Sequence, residues 1–336
     1  MNNLKNLIIL IICFFSVSIF AQTNKVGTTA GQILKINVGP RAVGMGGAFA
    51  ATSNDITAMY WNPAGISLIP GNEVSFIHTN LYLDIRHDYA GFVTNIPGFG
   101  NLGAFATILS MDEMPVRTVD MPEGTGEYFT AGSLVLGLSY ATSLTDHFSI
   151  GFNAKYINDH IYHMNADGFA VDIGTLYRIP VLNELRIGAS ISNFGTKMKL
   201  EGIDNLVITP SGAGKGNLLN SSLELDEFSL PLIFRFGLAA DIIRLENHQL
   251  TVEMDAVHPN DNTEYINMGF EYGWNSMVFL RAGYNSLFEK DSEKGLTFGF
   301  GIDYQIVNLV GVKFDYAYQA FGRLDNIQYF SLGVKF

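Results

Sequence analysis

Long segments of alternating side chains are the feature that most constrains what this chain can fold into. In the run Phe148–Tyr156 every second side chain is apolar, while the positions between hold Ser, Gly, Asn and Lys. The runs 169–177, 234–242, 296–304 and 312–318 follow the same pattern closely. Because successive side chains of a strand point to opposite faces, each run predicts a strand with one apolar face and one small or polar face.

The composition favours a membrane barrel over a soluble sandwich. Hydrophobic residues make up 48% of the chain and charged residues only 15%, against about 25% charged in a typical soluble protein. The outward face of a soluble sandwich is rich in charge, whereas the second face here is mostly Gly, Ser, Asn and Asp. An open sheet edge is not stable in hydrocarbon. The predicted fold is therefore all-β, a closed transmembrane antiparallel β-barrel, with a soluble all-β protein as the alternative.

Strand counting gives about fourteen strands, an even number as is usual for bacterial barrels. Short turns such as Pro97-Gly98-Phe99 and Asn275-Ser276 alternate with longer loops near 111–130, 159–166, 196–227, 258–263 and 287–293. Such alternation is typical of short periplasmic turns and longer extracellular loops. The predicted strands lie near 72–80, 88–97, 100–110, 131–143, 146–158, 167–180, 184–195, 228–243, 247–257, 264–274, 277–286, 294–306, 308–320 and 326–336.

Residues 1–21 have the anatomy of a secretory signal peptide. Lys5 precedes an almost unbroken apolar stretch from Leu7 to Phe20, and Ala21-Gln22 is a suitable cleavage point. The stretch is shorter than the roughly 20 apolar residues of a comfortable membrane span, so a signal anchor is the weaker alternative. Cys13 lies within this segment and is the chain's only cysteine. The mature chain therefore has no disulfide, no thiol nucleophile and none of the cysteine ligands common in structural zinc sites. Together with the barrel pattern, export predicts the cell outer membrane.

Residues 22–70 do not have a strand pattern. They are rich in glycine, and a short helix starting between Asp55 and Met59 is expected to stop at Asn62-Pro63, because proline disfavours helix in the residue before it. A fourteen-strand barrel has a lumen wider than its own side chains can fill. We therefore predict that residues 22–70 form a plug inside the lumen of a barrel spanning residues 71–336. The alternative is a periplasmic tail.

Candidate chemical sites are few. His160 and His163 share a predicted loop with Asp159, which is compatible with a metal site but more typical of a solvated loop. His78, His87 and Asp88 are suited to acid–base chemistry, yet no nucleophile motif accompanies them. We predict no catalytic residues, no metal and no cofactor.

The charge pattern bears on partners. The net charge of −12 disfavours nucleic acid, since an acidic surface repels phosphate backbones. The loop 111–130 carries five carboxylates against one cation, Arg117. A solvated face is the plain interpretation of this loop, and a surface that binds cations or a basic partner is the alternative.

The N-terminal region resembles the opening of a known family, the PorV-like (PorV/PorQ) outer-membrane proteins of Bacteroidetes, within the FadL-like barrel superfamily. The residues that carry the resemblance are Gly39-Pro40-Arg41-Ala42-Val43-Gly44-Met45-Gly46-Gly47-Ala48-Phe49-Ala50, Asp55 and Tyr60-Trp61-Asn62-Pro63-Ala64-Gly65. The Asn-Pro-Ala element recurs in the N-terminal plug of that superfamily.

The resemblance implies two functions. PorV-like proteins of the type IX secretion system accept secreted proteins from the translocon by their C-terminal domains and deliver them to the attachment complex. FadL-like proteins instead carry hydrophobic small molecules through a plugged barrel with a lateral opening. The implied partners are therefore outer-membrane lipid, together with either secretion proteins or a hydrophobic ligand. A purely structural barrel is a third class.

The resemblance also suggests roles for single residues of the plug motif. Arg41 is expected to pair with a lumen carboxylate, for which Asp172, Asp241 and Asp303 are candidates, or else to be solvated. Asp55 is expected to cap a short helix. Gly44, Gly46 and Gly47 are expected to allow close packing, and Trp61, Asn62 and Pro63 to fix the end of the plug.

Overall fold

Fourteen antiparallel strands form a closed barrel in the described part of the chain. A computed structural model describes residues 26–181, 183–210, 218–289, 292–307 and 310–336, and the predicted signal peptide lies outside these ranges. We number the barrel strands β1 to β14. They are β1 Glu73–Asn80, β2 Arg86–Ile96, β3 Gly100–Ser110, β4 Ala131–Ser143, β5 Phe148–Ile161, β6 Met164–Ile179, β7 Leu185–Gly195, β8 Ile233–Arg244, β9 His248–Pro259, β10 Tyr265–Trp274, β11 Val278–Leu287, β12 Leu296–Val307, β13 Val310–Gln319 and β14 Ile327–Lys335.

The pairing of the first strand with the last closes the barrel. Each strand pairs with its neighbours in sequence, and β1 pairs with β14 from Glu73↔Lys335 to Asn80↔Gln328. The predicted fold class, a closed antiparallel barrel of fourteen strands, is confirmed. Among the described residues, the model contains no helix long and apolar enough to span a membrane.

The connections differ in length between the two ends of the barrel. At one end, here called the short-turn end, neighbouring strands are joined by two to five residues. Asn275 and Ser276 both have a φ of 53°, and Met277 N–H donates to Trp274 O at 3.0 Å, which is the tight hairpin turn that matches strand twist. The other end, here called the long-loop end, carries the loops 111–130 and 196–232.

Both long loops contain a small hairpin of their own. In the first, Met114–Pro115 pairs with Tyr128–Phe129. In the second, Leu206–Pro210 pairs with Leu218–Ser222. This second loop also contains the extended pair Glu201–Gly202, which is joined to β6, and a 3₁₀ turn at Ile203–Asn205.

The prediction of a loop at 159–166 is wrong. Strands β5 and β6 continue through this region and are joined by Tyr162 and His163 alone, with Tyr162 at a φ of 54°. The alternation is weak here because the outward positions of this region are polar, with Asn158 paired with Asp167 and His160 with Asn165. A strand that is polar on its outward face looks like a loop in the sequence. Asp159 points inward and accepts a hydrogen bond from Gly31 N–H.

The segment before β1 forms short helices rather than strands. It contains a 3₁₀ helix at Gln32–Lys35, α1 at Pro40–Gly44, α2 at Ala58–Trp61 and a second 3₁₀ helix at Pro63–Leu68. Helix α2 begins at Ala58, between Asp55 and Met59 as expected from the sequence, and ends before Asn62-Pro63.

Candidate functional site in the barrel lumen

Residues 29–70, here called the lumen segment, cross the inside of the barrel from the long-loop end to the short-turn end. Thr29 pairs with Ser229 in the loop between β7 and β8. At the other end, Asn72 exchanges two backbone hydrogen bonds with Phe336. Most side chains between these points are buried, and the segment contacts strands on opposite sides of the ring, such as β5 and β12.

Inward-facing glycines of the wall allow the lumen segment to approach the strands closely. A Cβ at Gly188 would overlap the carbonyl group of Ala50, and a Cβ at Gly174 would overlap the side-chain oxygen of Asn62. By contrast, a Cβ at Gly333 would lie 3.5 Å from its nearest neighbours, which is ordinary contact. The wall glycines against the segment include Gly151, Gly174, Gly188, Gly237, Gly269, Gly283 and Gly299.

The three glycines singled out in the lumen segment face the wall from the other side. A Cβ at Gly44 would lie 3.0 Å from the Cα of Gly299. Gly46 and Gly47 have φ values of 69° and 75°, a region that L residues with side chains rarely adopt. A Cβ at Gly46 would also lie 2.6 Å from the carbonyl oxygen of Met268.

Arg41 is part of a closed ring of three cations and three carboxylates. Its guanidinium binds Glu271 of β10 in a bidentate manner, with two N–O distances of 2.8 Å, and binds Asp55 at 3.3 Å. The ring continues through Arg281, Asp315 and Lys313 and returns to Asp55, with N–O distances of 2.6, 2.7, 3.5 and 3.1 Å. The ring therefore fastens two residues of the lumen segment to strands β10, β11 and β13.

The partners suggested for Arg41 from the sequence are wrong. All three suggested carboxylates are on inward-facing positions, but each binds another cation. Asp172 and Asp241 are on β6 and β8, whereas α1 packs against β11 to β13. Asp303 is on β12 but lies beside the turn at Met277, at the short-turn end. Asp172 binds Lys155 at 2.7 Å, Asp241 binds Arg186 at 2.5 Å, and Asp303 binds Lys335 at 2.5 Å.

Asp55 lies just before α2 without being its N-cap. Its Oδ1 accepts hydrogen bonds from the backbone N–H and the hydroxyl of Thr57, at 3.0 and 2.6 Å, and Thr57 is the residue that precedes the helix. Burial by itself would raise the pKa of the Asp55 carboxyl, but the charges of Lys313 and Arg41 and the Thr57 hydrogen bond outweigh it and hold that pKa well below its usual range. Asp55 is thus ionised and serves as the link between Arg41 and Lys313.

Two carboxylates of β9 accept four consecutive backbone N–H groups of the lumen segment. Asp255 Oδ2 accepts from Phe49 and Ala50, each at 2.9 Å. Glu253 accepts from the backbone of Ala51 at 2.6 Å and of Thr52 at 3.1 Å, and also from the Thr52 hydroxyl. We did not predict this contact from the sequence, although the signal existed: two acidic residues at alternate positions of a strand share one face.

Trp61, Asn62 and Pro63 join the lumen segment to itself and to β6. Trp61 Nε1 donates to Val38 O at 2.8 Å. Asn62 Nδ2 donates to Ala50 O at 2.7 Å and to Thr175 O at 3.0 Å, while its Oδ1 accepts from Ala64 N–H. The Asn62 side chain thereby caps the following 3₁₀ helix, which begins at Pro63.

Among the described residues, two large pockets lie at the two ends of the barrel and a small cavity lies inside it. Beside the lumen segment, next to Tyr60, Lys155 and Arg235, a cavity of about 20 Å³ remains, which is room for a single water. At the long-loop end a pocket of about 670 Å³ is lined by apolar residues such as Leu109 and Phe228. At the short-turn end a recess of about 700 Å³ is lined by residues that include Asn54 and Glu73.

The histidines considered for chemistry do not form a common site. His78 faces outward and pairs with Asp88 at 2.6 Å, whereas His87 points inward and contacts Thr107. His163 pairs with Asp204 at 3.0 Å. No group of three metal-ligating side chains occurs within the described ranges.

A family model matches more than half of the chain. The model is described as "Type IX secretion system protein PorV", and residues 19–224 match it. The chain belongs to the PorV family. This PorV-family chain is accordingly an outer-membrane β-barrel of the type IX secretion system, in contact with outer-membrane lipid and with that secretion system. No curated protein matches it.

Solved structures with the same fold include a monoaromatic hydrocarbon channel and two toluene transporters. The CymD monoaromatic hydrocarbon channel has a TM-score of 0.59 at 14% identity, covering 89% of this chain and 97% of its own. The toluene transporter TodX of Pseudomonas putida has a TM-score of 0.58 at 14% identity, covering 87% and 96%. The toluene transporter TbuX of Ralstonia pickettii has a TM-score of 0.54 at 13% identity, covering 89% and 98%. At such identities the likeness supports the barrel fold alone.

Proposed function

We propose that this PorV-family barrel receives secreted proteins at its long-loop end, which faces the cell exterior, and that the lumen segment keeps the pore closed. In this proposal residues 1–21 are removed as a signal peptide, residues 22–70 act as a plug and residues 71–336 form the barrel. The plug motif, with Arg41, Gly44, Gly46, Gly47, Asp55, Trp61, Asn62 and Pro63, holds that plug in place.

The fastening of the lumen segment to the barrel wall is the observation that carries the proposal. The ion ring at Arg41 and the carboxylates Glu253 and Asp255 fasten this segment at two levels, and the cavity next to Tyr60 has room for about one water. In this proposal a protein cargo does not pass through the barrel, and contact with it falls to the loops.

The long loops offer surfaces suited to a protein partner. Leu206, Ile208 and Leu218 lie on one face of the hairpin in the loop 196–232 and are more than half exposed. A contiguous exposed apolar patch of this kind marks an interaction site in a folded protein. By resemblance to the family, the partner expected here is the C-terminal domain of a secreted protein.

Substitution of the hairpin side chains tests the proposal. The variant Leu206→Ser, Ile208→Ser, Leu218→Ser is expected to reduce surface display of proteins with type IX C-terminal domains, without changing the amount of folded barrel. A matched control is Leu245→Ser, an exposed leucine in a turn at the short-turn end. Normal surface display in the triple variant would contradict a role for this hairpin.

Transport of hydrophobic small molecules is the second candidate function. Two observations favour it. One is the apolar pocket of about 670 Å³ at the long-loop end. The other is the register shift between β6 and β7 at Asp172, which locally interrupts the hydrogen bonds of the barrel wall. There Asn193 has a φ of 68° and its N–H donates to Asp172. Mass spectrometry of small molecules that remain bound to the purified barrel tests this candidate. A bound hydrophobic compound whose loss follows substitution of Phe228 would favour transport.

A further inference from the structure

The outward face of β1 and β2 carries a polar cluster between apolar neighbours. His78 and Asp88 lie directly opposite each other, with Nδ1 and Oδ1 at 2.6 Å, and His78 Nε2 lies 3.0 Å from the side-chain oxygen of Asn80. The two side chains are 36% and 32% exposed. On the adjoining strands, the residues paired with them are Phe330 and Ile108.

This cluster ends the apolar outward face of β1 and β2. Toward the short-turn end the outward residues are Val74 and Phe76 on β1 and Ala90 and Phe92 on β2, and toward the loop only Asn80 and Arg86 remain. On β3 the residue in the same row is still apolar, Ile108. Charged groups on the lipid face of a barrel cost up to about 2–4 kcal/mol at the midplane and less toward the interfaces. A polar partner in place of lipid would remove that cost.

The surface next to the cluster is acidic and has an apolar tip. Arg86 is bound to Asp112 at 2.6 Å, and the loop 111–130 adds Glu113, Asp120, Glu123 and Glu127. Backbone hydrogen bonds between Val116 and Glu127, and between Val116 and Thr125, hold this loop in a defined hairpin. At its tip Val119 is 99% exposed and Met121 54% exposed.

The mixture of charge and apolar surface distinguishes between possible partners. An apolar centre with a polar rim is the usual composition of a protein interface. The excess of carboxylates repels the phosphates of lipid head groups and attracts a basic surface.

We propose that β1, β2, β3 and the loop 111–130, here called the acidic flank, form a lateral docking surface for a second outer-membrane protein of the secretion system. The partner presents a basic, hydrogen-bonding surface to His78 and Asp88, and an apolar recess to Val119 and Met121. This proposal deepens the proposed function and rests on it, because it names the side of the barrel on which the secretion machinery binds.

Photo-crosslinking in cells tests which molecule faces the cluster. The probe p-benzoylphenylalanine replaces Phe76, which lies beside His78 and is 52% exposed, and in a matched control it replaces Phe298 of β12, also 52% exposed. We expect a protein adduct from position 76 and none from position 298. Adducts of lipopolysaccharide alone at position 76, or no adduct, would overturn the proposal.

A second experiment measures binding without depending on the probe. The variant His78→Leu, Asp88→Leu is expected to keep the heat-modifiable migration of a folded barrel and to recover secretion-system proteins about tenfold less well in detergent, the effect of losing one interface hot spot. The control His258→Leu removes another exposed histidine–carboxylate pair, formed with Glu264 at 2.9 Å, and should recover them normally. If wild type recovers none, the proposed function fails. If wild type and the double variant recover them equally, only the acidic flank fails.

Discussion

Asn62 joins three parts of the molecule through one buried side chain. It donates to Ala50 O and Thr175 O and accepts from Ala64 N–H. Asn62→Ala would leave two buried carbonyls without that donor, so we expect a loss of about 2–3 kcal/mol of stability. The measurement is the temperature at which heat-modifiable migration is lost, and adding Pro63→Ala should lower it further. Asn158→Ala, which removes an exposed hydrogen bond to Asp167, is the control and should have almost no effect.

Arg41 pairs with two buried carboxylates at once. Arg41→Met would leave Glu271 and Asp55 buried with one cation fewer, and breaking a buried pair in this way costs about 3–5 kcal/mol. Arg86→Met breaks an exposed ion pair with Asp112 and should cost less than about 1 kcal/mol. Equal unfolding temperatures for the two variants would show that the ion ring does not fasten the lumen segment.

The ion pairs of Asp55 should make the stability of the barrel depend on pH. Its folded pKa is lowered from the ordinary value of 3.8, so its stabilising contribution is present above that value and is lost as the pH falls below about 4. We expect Asp55→Asn to be less stable than wild type at pH 7, with the difference shrinking between pH 5 and pH 3, about the window in which an unfolded carboxylate takes up its proton. A difference that is constant across this range would argue against the ion pairs of Asp55. Asp120→Asn, in the loop 111–130, is the control.

The identity of the key residues was predictable, but their partners were not. Arg41, Asp55 and Asn62 stood out in the sequence, and the inward orientation of Asp172, Asp241 and Asp303 followed from alternation. Alternation predicts which face of a strand a residue lies on. It does not predict how far along the barrel axis the lumen segment lies, or which strands each of its residues faces. The partner Glu271 depends on that placement, which only the folded chain provides.

Among the structural elements, the strands were predictable because lipid and lumen impose opposite requirements on alternate residues. The prediction failed at the junction of β5 and β6, where outward residues such as Asn158 and Asp167 are polar. The carboxylates Glu253 and Asp255 were missed for another reason. A polar inward residue has a clear meaning only once its partner inside the barrel is known.

The wall glycines give a prediction at the scale of one strand against the lumen segment. Gly188→Ala places a Cβ on the carbonyl group of Ala50, so we expect a loss of about 1–3 kcal/mol, the usual cost of overpacking. Gly333→Ala adds the same methyl group where the nearest atoms are 3.5 Å away and should be tolerated. The comparison of their unfolding temperatures checks the contact, and equal values would mean that the lumen segment does not press on β7.

At the scale of the whole molecule, a filled barrel with exposed loops suits a protein that holds partners at its surface. The TodX and TbuX transporters share the fold at 13–14% identity, so the barrel itself does not decide between carrying molecules and binding proteins. Membership of the PorV family assigns this chain to the type IX secretion system. The lumen segment, the long loops and the acidic flank suggest how the chain works within that system.

The most direct test of this account is native purification of a tagged copy in mild detergent, with its companions identified by mass spectrometry. We expect a large translocon barrel or secreted proteins with type IX C-terminal domains to be recovered with it. Recovery of the barrel alone, with a hydrophobic small molecule bound, would contradict the account and favour transport.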